Sequence, residues 1–85
     1  MRRKFKIEHL AAKLLAVRKH LGFSQSQLAR QLAFEPSYNR VSEYERGRRT
    51  PSLPVLLSYA RLGGIHIDDL IDDSIELVFS KQPKP

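Results

Sequence analysis

Between Tyr38 and Arg49 the sequence gathers side chains that donate and accept hydrogen bonds: Tyr38, Asn39, Arg40, Ser42 and Glu43, then Arg46, Arg48 and Arg49. An amide such as Asn39 can pair bidentately with adenine, a guanidinium such as Arg40 with guanine, and a carboxylate such as Glu43 can accept from cytosine. Each good pair discriminates by roughly 1–3 kcal/mol. Gln25 and the arginines at 46, 48 and 49 suit phosphate oxygens, whose contacts fix register rather than sequence. This is the chemistry of recognition, not of bond making.

Other chemistries are less well served. His9 and His20 are 11 residues apart, nearly three helical turns, and share a face. The rise between them, roughly 16 Å, is too long for both to bind one ion. His66 stands alone, so no metal site is expected. Asp68, Asp69, Asp72 and Asp73 come without a Gly-rich phosphate loop or a positioned nucleophile, and a solvated helix terminus accounts for them better. The chain has no cysteine, which excludes disulfides, thiolate catalysis and Cys-based zinc sites. Neither an enzyme nor a bound cofactor is expected.

The length of 85 residues fits one domain, because a chain this small buries only roughly 60% of its unfolded surface. Hydrophobic residues at 41% and charged residues at 28% are globular proportions and argue against wholesale disorder. The net charge of +6 is unevenly placed: residues 1–61 hold 13 basic and 4 acidic side chains, residues 62–85 hold 2 and 5. A positive body with a negative end should draw a polyanion to one side. Anionic membrane is one candidate, but the apolar stripe of the first helix is needed to close so small a core. The longest apolar run, Leu14 to Val17, is far short of a membrane span. Glu8, Lys13, Arg18 and Lys19 interrupt any secretory segment. A cytoplasmic, nucleoid-associated protein is expected.

The elements that must position the polar set follow from spacing. Met1 to Lys6 is a basic arm. From Ile7, the positions Ile7, Leu10, Leu14, Val17 and Leu21 predict an amphipathic helix that Gly22 ends. Ser24 and Gln27 form a capping box that opens a second helix with Leu28, Ala29 and Leu32 on its stripe. Pro36 breaks it at Glu35. Ser37 caps a third helix, Tyr38 to Arg46, with Val41 and Tyr44 on one side and the hydrogen-bonding set on the other; Gly47 ends it. Tyr44, one turn from Val41, belongs to the core. Ser52 caps a fourth helix through Leu53, Leu56, Leu57, Ala60 and Leu62, with Pro54 in its first turn. Ile67 to Ile71 makes a brief fifth, with Asp68 and Asp69 where the helix dipole favours anions. The apolar stretch Ser74 to Ser80 suits a short strand, a tucked extension or a partner-binding segment.

Taken jointly, Arg18, Gly22, Ser24-Gln25, Leu28-Ala29, Val41-Ser42, Glu45, Gly47, Pro51-Ser52, Ala60, Gly64 and Leu70 resemble the phage-repressor (Cro/repressor, XRE) helix-turn-helix family over roughly residues 7–72. The resemblance implies an all-α, compact five-helix domain whose third helix enters the major groove with its N-terminal residues at the base edges. It places Tyr38, Asn39, Arg40, Ser42 and Glu43 at base-contacting positions, although the Tyr38 phenol equally suits shielding of the turn before it. Gln25 falls at a phosphate-contacting position, and Arg48 and Arg49 in the phosphate-gripping connector. Arg18 and Glu45 match an ion pair bridging the first helix to the end of the third, of about 1 kcal/mol if partly exposed. Two features depart from the family. Between Leu28-Ala29 and Val41-Ser42 the chain is two residues longer, near Glu35-Pro36, and Ala33 stands at the family's turn glycine.

The expected organisation is therefore a basic arm at 1–6, a helix-turn-helix domain at 7–73 and a C-terminal extension at 74–85. The expected function is sequence-specific binding of double-stranded DNA to regulate transcription, without a cofactor, by a homodimer on a two-fold site. With no effector-binding domain expected, any signal acts through a partner, abundance or proteolysis. Residues Ile75 to Phe79 are the candidate dimer contact, so a chain cut before Ser74 is expected to be a folded monomer. The alternative on the same fold is an antitoxin or adaptor whose residues 74–80 bind a protein partner. Recognition of structured RNA is a third reading, marked by little preference for DNA sequence.

Overall fold

The computed structural model describes residues 7–32 and 37–79. Five α-helices lie among them: α1 Leu10–Leu21, α2 Gln25–Gln31, α3 Tyr38–Glu45, α4 Leu53–Gly63 and α5 Ile67–Ile71. Leu14, Val17, Leu28, Val41, Tyr59 and Leu70 are fully buried where the helices meet. Helix α1 packs against α3, α4 and α5, while α2 packs on α3. Each helix therefore gives one apolar face to a shared centre, as the three-and-four spacing requires.

Helix α1 begins at Leu10, not at Ile7 where the apolar spacing opens. The cause lies far away in sequence. The carboxylate of Asp73 accepts the N–H groups of Glu8 at 2.7 Å and His9 at 3.1 Å, fixing the chain just before the helix. Those bonds hold the Asp73 carboxyl below the usual carboxylate range, with the Glu8 amide the larger cause. At the other end Gly22 takes the left-handed conformation at φ 75°, and its N–H reaches the carbonyls of Arg18 and Lys19. A side chain there would be strained, so glycine terminates the helix.

The capping box of α2 forms as its residues indicate: Ser24 Oγ accepts the Gln27 N–H at 3.1 Å and Gln27 Oε1 accepts the Ser24 N–H at 2.8 Å. Ser37 Oγ likewise accepts the Arg40 N–H at 3.3 Å and opens α3, which ends at Glu45 with Arg46 as its cap. Ser52 sits at the N-cap of α4 but its side chain accepts no helix N–H. Pro54, in the first turn, lacks one of the two amides such a cap would use. In α5, Asp69 Oδ2 accepts the His66 N–H at 2.9 Å. Asp69, Asp72 and Asp73 thus have structural partners; Asp72 accepts from Ser74, whose hydroxyl is the chief reason its carboxyl is held low.

Lys13 lies on the apolar stripe of α1 and is only 7% exposed. Its ammonium donates to the carbonyls of Asp69 at 2.8 Å, Asp72 at 2.9 Å and Ile75 at 2.8 Å. Three donors meet three acceptors at the C-terminal end of α5, where unpaired carbonyls favour a cation. Beyond α5 the chain folds back on its own domain: Leu77 and Phe79 pack against the core and the Phe79 ring stacks on His20 at 4.0 Å. No strand occurs among the described residues. Through Phe79 the extension is tucked against the domain, with Val78 facing solvent.

Candidate nucleic-acid interface

The candidate surface is built on α3. Val41 and Tyr44 are buried, and the Tyr44 ring meets Tyr59 edge-on with centroids 6.5 Å apart. With that side fixed, Tyr38, Asn39 and Arg40 stand exposed at the N-terminal end of the helix, and Ser42 and Glu43 are half-buried a turn later. Tyr38 is 54% exposed. The longer turn at Ala33 to Pro36 lies outside the described residues, as does the basic arm 1–6.

Two polar networks hold the surface in place. In the first, Arg18 donates to both oxygens of Glu45, Nε to Oε2 at 2.7 Å and Nη2 to Oε1 at 3.1 Å, and its Nη1 reaches the Phe23 carbonyl at 2.9 Å. The side chains are 17% and 6% exposed. The Glu45 hydrogen bond raises the guanidinium further above its already high range, against the opposing effect of burial. Gln25 joins the same carboxylate, its amide nitrogen 3.0 Å from Glu45 Oε1. That contact uses one of the two amide hydrogens of Gln25. The pair expected between α1 and the end of α3 is present, and it also ties in the start of α2.

In the second network Glu43 Oε1 lies 2.8 Å from Arg49 Nε and 3.9 Å from Arg40 Nε. Between them the chain reverses at Gly47, φ 74°, where an added Cβ would meet Ala11 at 3.7 Å. Arg46 and Arg48 are exposed beside the turn. Two linked groups result, Arg18 and Gln25 on Glu45, and Arg40 and Arg49 on Glu43. A cleft between the start of α1 and this connector is lined by Ile7, Glu8, Gly47, Arg49 and Thr50, which sets the first described residue beside the basic loop.

Sequence reasoning missed the link from Gln25 to Glu45, the capture of Arg49 by Glu43 and the role of Lys13. Only Lys13 left a signal, because it falls three residues after Leu10 and four before Val17, on the buried face. Among the described residues no group of three His, Asp or Glu side chains could hold a metal ion. Nor is any helix among them long and apolar enough to cross a membrane.

A core of five helices with a polar helix presented beside an arginine-rich turn defines a helix-turn-helix protein of the phage-repressor type. The Helix-turn-helix family model matches residues 14–70, and the chain belongs to that family of DNA-binding proteins. Among solved structures it is similar to the P22 c2 repressor protein in complex with a synthetic operator. That likeness has a TM-score of 0.66 and 22% identity, and covers 81% of this chain and 96% of the other. No curated protein matches the chain.

Proposed function

We propose that the protein regulates transcription by binding double-stranded DNA at particular sequences, with α3 in the major groove. The observation that carries this reading is the division of α3 described above. Its buried side is fixed by Val41, Tyr44 and the Arg18–Glu45 pair, while Tyr38, Asn39 and Arg40 are exposed at its N-terminal end. Tyr38, Asn39, Arg40 and Ser42 supply base contacts, and Glu43 stands between these readers and the anchors. Gln25, Arg46, Arg48 and Arg49 hold phosphates. The P22 c2 repressor, bound to its operator, is a protein of the same fold. Ile7, which follows the basic arm 1–6 in sequence, lines one cleft with Arg49, and the arm's arginines and lysines are proposed to add phosphate contacts. The protein acts as a homodimer in the cytoplasm, without cofactor or catalysis, on half-sites spaced by roughly 34 Å or a multiple.

Selection from random duplex DNA at about 0.15 M salt, where non-specific binding is weak, tests this directly. The wild type is expected to enrich a two-fold sequence that an Asn39→Ala/Arg40→Ala variant loses or relaxes. Salt-sensitive binding shared equally by both proteins, with nothing enriched, would overturn the reading and move the search to a protein or RNA partner.

A further inference from the structure

One carboxylate already joins the reading helix to the phosphate connector. Glu43 does so twice: its carboxylate takes the Arg49 Nε–H at 2.8 Å, and its main-chain carbonyl takes the Arg48 N–H at 2.9 Å. The same Oε1 lies 3.9 Å from the Nε of Arg40, one turn back on α3. A carboxylate on a face meant for a polyanion repels it, so its presence there calls for a compensating role.

We propose that Glu43 is a positioning residue rather than a base reader: it holds Arg49 at the connector in step with Arg40 on α3, so that anchor and reader dock as one unit. The proposal rests on the DNA-binding reading above and deepens it. The geometry suits orientation more than masking. Glu43 engages the Nε–H, on the stem side of the guanidinium, which keeps the four Nη hydrogens for a phosphate. Both cationic neighbours lie on Oε1, so a cytosine amine could reach only Oε2 while this arrangement stands. The three side chains are between two-fifths and one-half exposed, so the link biases geometry by only about twofold to fivefold. Its effect therefore belongs in specificity rather than in folding.

The test compares the full-length wild type, Glu43→Gln, Arg49→Gln and the double variant on the selected duplex and on heterogeneous duplex, across a salt series. Glu43→Gln removes a negative charge and is expected to tighten binding to heterogeneous DNA about twofold to fivefold. It should also lower the ratio of selected to heterogeneous binding by a similar factor. In the Arg49→Gln background that second effect should disappear, since there is no guanidinium left to hold. A loss confined to one base pair of the selected sequence, persisting in the Arg49→Gln background, would make Glu43 a reader and overturn the proposal. Equal effects in both backgrounds would overturn it as well.

The pairing itself is read without DNA. The Arg49 Nε–Hε resonance should shift in free Glu43→Gln, and an unmoved resonance rejects the link. A wild type that binds no duplex ends both readings. One that binds by sequence, with a ratio indifferent to Glu43, ends only this one.

Discussion

Tyr59 is fully buried, and among the described residues its hydroxyl has no hydrogen-bond partner. A hydroxyl left dry in this way costs on the order of 1–3 kcal/mol. Removing it with Tyr59→Phe keeps the ring against Tyr44 and is expected to raise stability by about 1 kcal/mol, or a few degrees in Tm. Burial is the main cause that pushes the phenol above its ordinary range, with the charge of Glu45 adding to it and that of Arg18 opposing. Above a pH of about 10 the unfolded tyrosine loses its proton while the folded one keeps it. The native state then binds more protons than the unfolded state, so stability falls as pH rises past that point. Thermal melts between about pH 9 and 11 should show this decline in the wild type and a flatter course in Tyr59→Phe. Equal slopes would mean that the Tyr59 phenol ionises as readily in the folded state as in the unfolded one.

Between elements, the ties that matter most are long-range and polar. Lys13 fastens α1 to the end of α5 and to the extension through three carbonyls. Replacing it with Met leaves those acceptors unpaired in a buried place, at a cost of about 2 kcal/mol, or on the order of 10 °C in Tm. Calorimetry would check it, and an unchanged Tm would mean that water serves the carbonyls equally well. The helices themselves were legible in the sequence because their signals are local: the Ser24–Gln27 box, Gly22 after Leu21 and the three-and-four spacing of Leu14, Val17 and Leu21 each act within two turns. The start of α1 was not, because Asp73 sets it from 64 and 65 residues away. In the candidate site, Asn39 and Arg40 could be placed on an outer face from the burial of Val41 alone. The capture of Arg49 by Glu43 could not, since helical periodicity says nothing across the reversal at Gly47.

At the scale of the whole molecule, the excess of positive charge before residue 62 and of negative charge after it should orient the protein as it approaches DNA, and make association faster at low salt. The extension from Ser74 to Phe79 lies against its own domain, and the proposed pairing of two copies must use what it leaves outside, Val78 above all. Deleting residues 76–85 keeps the Ile75 carbonyl under Lys13 and is expected to give a folded monomer by sedimentation. A dimer that survives the deletion would place the interface elsewhere, for example over the exposed Leu53 and Leu57 of α4. The Glu45 carboxylate has a wider consequence, because Arg18 and Gln25 pin α3 at its C-terminal end, far from the connection that precedes it. The helix therefore behaves as a lever clamped at its heel. Changes of length between α2 and α3 are accordingly expected to be better tolerated in evolution than changes at Arg18 or Glu45, which hold the helix at that end.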